Sequence, residues 1–529
     1  MVSSNSYLKK VLRIFREDNS NSKKHDIESA ITVSRATSAV VFLYERLRSA
    51  MEYQEEHLVR RWAIERMLRR LLTIRTPLAE LPLLLARELV WSHYIDSLEI
   101  TQEDIKKIAT IVTKYAQVVT IAKKHRKYPN PSLSSDWIVS LMSVEIDRIL
   151  YSPRKIDTYL EFTYHWFSQH IKIDWDNDDE KELLLYIAIQ RSLVKADIPH
   201  LRYQLLKLYY PKWEDNTPEM TDRVGRNFHV LTATIDMLIK HPQNDKLLNL
   251  IKRRISPFII LYSFLERNTD KAEELLENPL KFEHAVKTIV DQKYGEIRNK
   301  LTRGITRSII YIFLTKMVIA LLVEIPYDNF VAGAVNYLPL ATNLLFPPVL
   351  MYLVSLFIKK PDEGNTLLML KHLKEIAYPE TEDATVETIR LKKHRFGKVL
   401  YTIVTLIYLG TFVVSFGLIF MTLERLSFNL ASEGVFLFFL CVVSFFAYRI
   451  SLSAHELIVE EGREHLYAPL IDFIALPILW VGRWLSKGFS RLNFMIIIMD
   501  FLIETPLKTF VGVGEEWQSF VKDKKRELA

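Results

Sequence analysis

Hydropathy divides the chain near residue 308. Before that point apolar residues recur every three or four positions with charged residues between them. After it come four long apolar runs, 308–325, 336–358, 399–423 and 434–454, arranged as two pairs around a polar stretch, 359–398. A helix rising 1.5 Å per residue needs about 20 apolar residues to cross a hydrocarbon core. The second and third runs carry no charge. The first contains Lys316 in its middle and Glu324 near its end, and the fourth reaches spanning length only if Arg449 snorkels and 450–454 complete the helix. These runs predict an integral membrane protein with about four spans.

Charge sets the orientation, because Lys and Arg are retained on the cytoplasmic side. The central loop holds Lys359, Lys360, Lys371, Lys374, Arg390, Lys392, Lys393, Arg395 and Lys398, and the stretch before the first run is basic too. The two outer connections hold only Arg425 among the acids Asp328, Glu424 and Glu433. The expectation is a multi-pass protein of the cell membrane with both termini cytoplasmic.

In the first half glycine is informative by its absence. The first is Gly225, and neither Gly nor Pro precedes Pro77. Long helices follow: 27–75 carries Leu58, Trp62, Leu68 and Leu72 at helical spacing, Thr101 and Asp104 form a capping box, and Pro129, Pro131 and Pro153 punctuate the rest. Further helices are expected at 134–151, 154–171, 177–195, 197–210, 217–241, 244–267 and 281–307. Few runs alternate with period two, so no sheet is expected. The fold class is therefore all-α: a flexible or amphipathic segment, 1–26, a cytosolic helical bundle, 27–307, a membrane part, 308–454, with a cytosolic loop, 359–398, and interfacial or re-entrant amphipathic helices with a charged tail, 455–529. Residues 7–16 place Leu8, Val11, Leu12 and Phe15 on one side and Lys9, Lys10, Arg13 and Arg16 on the other, which reads first as a helix packed on the bundle and second as a membrane-surface anchor.

Composition narrows the chemistry. Among 529 residues the single cysteine, Cys441, excludes an intramolecular disulfide and a cysteine-based zinc site. A net charge of +7 is modest for this length, and the arginines between Arg60 and Arg75 are interleaved with Glu52, Glu55, Glu56 and Glu65, so nucleic acid gets no support. With no glycine before Gly225 the first half lacks a glycine-rich, phosphate-cradling loop. Asp174, Asp176, Asp178 and Asp179 begin like a calcium loop, but Asp179 replaces the turn glycine and Leu185 the bidentate glutamate. His455, Glu456, Glu460, Glu461, Glu464 and His465 lack metalloprotease spacing. No catalytic residue, metal site or cofactor is assigned.

Several sets of residues remain. Lys316 costs about 3 kcal/mol at mid-bilayer unless it has a partner or a cavity, and Asp500 and Glu504, four apart in an apolar run, are the expected partners, with Glu324 the other intramembrane charge. Pro339, Asn343, Pro347 and Pro348 mark a kinked second span, and Gly410 with Gly417, like Gly434 with Cys441, are seven apart and read as small-residue packing stripes. In 466–513, Arg483, Lys487 and Arg491 share a helical stripe beside Trp480 and Trp484, which suits anionic headgroups at the cytosolic face. Tyr203, Tyr209, Tyr210 and Trp213 form an aromatic cluster of the kind that binds a protein partner, and also of the kind found at a core edge. The resulting expectation is a membrane-anchored interaction or scaffold protein with an unidentified cytosolic partner; the alternative is a small transporter or lipid-handling protein, and an enzyme ranks third.

Reporters fused after Lys374 and at Ala529 should read as cytoplasmic, and reporters within 330–333 or 427–432 as external; an outer reporter that reads as cytoplasmic contradicts the four-span topology.

Overall fold

In the computed structural model, residues 6–22, 56–96, 100–125, 135–174, 178–332, 337–356, 362–378, 387–390, 398–454, 457–459 and 475–485 are described, with isolated positions after 512. They are helical apart from one short two-stranded ladder and the connecting turns, and they include four helices long and apolar enough to cross a membrane.

Two hydrophobic cores organise the first 300 residues. The first gathers α2 (Glu56–Thr73), α3 (Leu81–Trp91), α4 (Gln102–Lys124), α5 (Asp136–Leu150), α8 (Ile198–Tyr209) and α9 (Pro218–Ile239) around residues such as Ile64, Leu85, Ile111, Met142, Leu205 and Phe228. Its local signals act as the sequence predicts. The Thr101 hydroxyl accepts from the Asp104 N–H at 3.1 Å while the Asp104 carboxylate accepts from the Thr101 N–H at 3.0 Å, closing the capping box that starts α4. The second core joins α1 (Ser6–Ser22), α6 (Arg154–His170), α7 (Asp178–Leu193), α10 (Asn244–Arg254), α11 (Ser256–Arg267) and α12 (Ala272–Glu277) through Phe15, Phe162, Leu184, Phe258 and Phe264. Leu8, Val11 and Phe15 of α1 are buried in it, and Lys10–Glu161 and Arg16–Glu273 ion pairs flank them, so α1 packs on the bundle.

Several elements differ from expectation, each for a physical reason. Of the helix read over 27–75, 56–73 is seen as helix; 27–55 lies outside the described residues. The helix read over 244–267 breaks at Ile255, because Pro257 cannot continue a ladder yet suits a first turn. No break separates the helix read over 281–307 from the first apolar run: α13 is a single helix, Pro279–Ile319, of 41 residues. Asn278 caps it, its side chain accepting from the N–H groups of Leu280 and Lys281 at 3.0 and 3.3 Å. The basic charges of 293–307 fall on its exposed faces, where a helix tolerates them.

The central loop is also more ordered than its charge implied. It contains α15 (Glu363–Ala377), which buries Met369, Leu370, Leu373 and Ile376 in the second core, so its lysines occupy the outer face of an amphipathic helix. The absence of a sheet is corrected too. Ile171–Asp174 (β1) pairs in parallel with Glu387–Arg390 (β2), Ile171 opposite Glu387 and Asp174 opposite Arg390. A strand of four residues is too short to show period-two alternation, and its partner lies more than 200 residues away.

The other membrane-length helices are α14 (Tyr337–Leu356), α16 (Lys398–Arg425) and α17 (Leu430–Ala454). Ile312 of α13, Met351 of α14 and Phe439, Val443 and Ala447 of α17 form a shared core, while α16 is the least buried of the four. Small residues do not pack as the stripes implied. A methyl group added at Gly410, Gly417 or Gly434 would meet nothing within 4 Å, whereas at Gly482, in a short helix α18 (Ala475–Leu485), it would run into the Cys441 carbonyl oxygen. The backbone of α18 therefore rests directly on α17.

Leu373→Ala should cost about 2–5 kcal/mol of stability in detergent, because it empties a fully buried site, while Leu367→Ala on the exposed face of α15 should cost little. Equal effects on unfolding would show that α15 is not docked on the second core.

Candidate functional site

A buried polar constellation lies among the apolar helices and begins with a local irregularity. After Ile319 the first apolar helix changes winding: Ala320–Glu324 is a π-helical turn in which the Ile325 N–H donates to the Ala320 carbonyl, five residues back, and a second π turn, Asp328–Ala332, follows the α turn Ile325–Tyr327. Pro326 is the local cause. It has no N–H for the preceding turn, and its ring crowds the carbonyl four residues earlier, so the turn before it widens.

That widening determines which side chains meet. In a regular α-helix, positions eight apart are rotated by about 80°, at 3.6 residues per turn. One extra residue in the π turn brings Glu324 back over Lys316. The Lys316 ammonium donates to Glu324 Oε1 at 2.8 Å and to Asn343 Oδ1 at 3.0 Å, and lies 4.8 Å from the centre of the Phe439 ring. Asn343 Nδ2 donates to Glu324 Oε2 at 2.9 Å and to the Ser432 carbonyl at 3.0 Å. The Ser432 N–H in turn donates to Asn429 Oδ1 at 2.9 Å, and Asn429 Nδ2 to Asp328. Lys316 and Asn343 have no exposed surface and Glu324 retains 1%.

Each element supplies its member for a reason. In α14 the buried residues Pro339, Asn343, Pro347 and Met351 repeat every four positions, so they form one inward stripe, and Asn343 is the polar group on it. Pro347 removes the N–H that would have bonded the Asn343 carbonyl, loosening the backbone next to the amide. From α17 come the Ser432 carbonyl, which accepts from Asn343, and Phe439, whose face receives the cation. One cation and one anion cancel, and the amide uses both its oxygen and both its hydrogens. A network satisfied in this way holds three helices in register. It offers no unpaired group for acid–base chemistry.

Among the described residues the carboxylate partner of Lys316 is thus Glu324 of its own helix. The π turn supplies the register that a regular helix would deny, and Asp500 and Glu504 lie outside the described residues. In α18, Trp480 and Trp484 are exposed, as is Arg483, and Trp480 meets Phe412 edge-on at 5.7 Å while Ile478 joins a cluster with Leu423, Phe436 and Leu440. Lys487 and Arg491 lie outside the described residues.

The aromatic cluster divides. Tyr203 and Trp213 are buried in the first core and cannot present a surface, Tyr210 is partly buried, and Tyr209 is exposed. Trp213 Nε1 donates to Glu145 at 3.1 Å, the Tyr115 hydroxyl donates to the same carboxylate at 2.9 Å, and Lys114 pairs with it. Burial lowers the pKa of the Lys114 ammonium against the pull of Glu145, and raises that of the Tyr203 phenol, helped by the Glu145 and Glu214 charges. Of the two readings the sequence left open, a partner surface and a core edge, Tyr203 and Trp213 take the second. Among the described residues no three His, Cys, Asp or Glu side chains converge as metal ligands. Asp178 and Asp179 open α7, where its N-terminal dipole favours them.

Compared with protein-family models, with curated proteins and with solved structures, the chain gives no significant match.

Lys316→Met leaves the Glu324 carboxylate buried without its cation and should destabilise the protein by about 3–5 kcal/mol. Lys316→Met combined with Glu324→Leu should recover much of that loss, and Asp500→Leu should not; additive losses in the Lys316/Glu324 cycle would mean the pair is not coupled.

Proposed function

We propose that this chain is a multi-pass membrane protein whose helical N-terminal part is a cytosolic interaction body, held in a fixed pose above the membrane by its own first span. The observation that carries the reading is the continuity of α13: 41 residues run without a break from the second core, where Phe282, Val286 and Val290 are buried, to Ile312 and Lys316 among the apolar helices. A loose tether would place a flexible linker there. A second tie supports it. The Asn365 amide of α15 donates to the Leu457 carbonyl at 2.9 Å and accepts from the Val459 N–H at 2.7 Å, so the chain leaving α17 is fastened to the same body.

In this reading the body comprises the helices up to about residue 307 together with α15, the basic face of the central stretch lies toward the cytoplasm, both termini are cytoplasmic, and α18 dips into the membrane against α17 with Trp480, Arg483 and Trp484 near anionic headgroups. Exposed apolar residues on α8 and α9, including Tyr209, Val230 and Met237, are where a protein partner would bury surface. The transporter alternative draws less support. It rested on one intramembrane cation and one proline-kinked span, and of these Lys316 is satisfied by Glu324 and Asn343.

A photo-crosslinking amino acid placed in vivo at Tyr209 or Met237 should yield a discrete protein adduct, while the same group at Leu322, on the exposed face of the apolar helix, should label lipid. Absence of any protein adduct from the body, together with solute flux through purified protein in sealed vesicles, would instead favour a transporter.

A further inference from the structure

Two contacts set the depth of α18. The Gly482 backbone rests on Cys441 and Phe445 of α17, and the Trp480 ring meets Phe412 of α16 edge-on at 5.7 Å. Cys441 and Phe412 each lie near the middle of their own helix, Leu430–Ala454 and Lys398–Arg425. Toward the cytoplasmic ends, the first charge on α16 is Lys398, about 21 Å from Phe412, and the first on α17 is Arg449, about 12 Å from Cys441, at 1.5 Å per residue. Half a hydrocarbon core is about 15 Å. Ile478 packs with Leu423, Phe436 and Leu440, toward the outer ends of the same helices. From there α18 runs toward the cytoplasm, beside the middle of the spans.

Its exposed side chains do not suit that depth. Leu476, Trp480, Arg483 and Trp484 share the face opposite Gly482 and Ile478. Tryptophan, with its polar indole edge, and arginine both belong at headgroup level, and a guanidinium in hydrocarbon needs an anion or water. Among the described residues no carboxylate pairs with Arg483. The space on its cytoplasmic side is open. Every residue of α16 from Thr402 to Leu409 is exposed, so no described helix covers that half of it, and Tyr448 and Arg449 of α17 are exposed at the same end. Below α18, then, an apolar notch beside α16 opens to the cytoplasmic leaflet.

We propose that the cytoplasmic leaflet is drawn into this notch and that Arg483, between Trp480 and Trp484, holds the phosphate of an anionic phospholipid below the plane of its neighbours. Charge complementarity selects the occupant. Arg483 brings one positive charge without a counter-ion, and a phosphodiester brings one negative charge that a planar guanidinium can bind through two N–H groups. A zwitterionic lipid carries its own cation to the site. The acyl chains lie along Ile403, Leu406 and Ile407, which expose apolar surface on α16. The inference rests on the placement of α18 in the membrane proposed above, and adds to it a depth and a ligand.

Separate measurements report the depth and the ligand. With Cys441 changed to serine, nitroxides at Leu476 and at Leu314, an exposed position on α13, are compared in nanodiscs of phosphatidylcholine and phosphatidylglycerol. Both should be accessible to oxygen and shielded from a water-soluble nickel chelate. Leu314 shielded with Leu476 open to nickel would put α18 at the surface and overturn this inference alone; both open to nickel would overturn the membrane placement as well. For the ligand, the full chain in dodecyl maltoside is titrated with phosphatidylglycerol and its adducts are counted by native mass spectrometry. One lipid per chain should bind about tenfold or more tighter than the rest, and tighter than phosphatidylcholine by a similar factor. Arg483→Gln should remove that preference with the melting temperature of the lipid-free protein unchanged, because the side chain has no protein partner to lose. Arg483→Lys should weaken the site less, and Arg307→Gln, at an exposed arginine of α13, should leave it intact. A first site indifferent to Arg483→Gln, an equal loss in Arg307→Gln, equal affinity for phosphatidylcholine, or a melting temperature that falls together with binding would each overturn the lipid site.

Discussion

An ammonium group in the middle of an apolar helix is the constraint on which the rest of the membrane-length architecture depends. Lys316 cannot shed its charge into hydrocarbon, so its anion and its neutral acceptor must come from the protein. The chain meets this need within a few residues: Pro326 widens the preceding turn, the widened turn aligns Glu324 with Lys316, and Asn343 bonds both while reaching the backbone of α17. Hydrocarbon contacts between helices are weakly specific, because lipid tails are as apolar as leucine. A satisfied polar network is specific, since any slip in register would leave a buried charge without its partner. The relative positions of α13, α14 and α17 follow from it.

The same helix that carries Lys316 carries the N-terminal body. Because α13 does not break where the sequence turns from amphipathic to apolar, what fixes one end of it constrains the other. The second core encloses its first turns, α15 packs against it from the central loop, and Asn365 ties down the chain beyond α17.

Much of this was legible in the sequence, and the parts that were not have identifiable causes. The four apolar runs, the capping box at Thr101 and the packed amphipathic α1 follow from periodicity and from residues a few positions apart. The partner of Lys316 was sought in the tail because a regular helix separates positions 316 and 324 by a large rotation, and a π turn is not encoded by periodicity. Its trace was nevertheless present: a proline two residues after a buried glutamate, and a lone amide, Asn343, in an uncharged run. The choice between core edge and partner surface stayed open for Trp213 because its partners, Glu145 and Lys114, lie far away in sequence, and α15 was missed because its lysines dominated the reading of the loop.

The most direct test of the account is the length and straightness of α13. With Cys441 changed to serine, spin labels at the exposed positions Leu280 and Leu314 in nanodisc-embedded protein are separated by 34 residues of helix, about 50 Å at 1.5 Å per residue. A narrow distance distribution near that value is what a continuous helix requires. A broad distribution, or a mean many ångströms shorter, would place a joint between the body and its first apolar helix and contradict the fixed pose on which the functional reading rests.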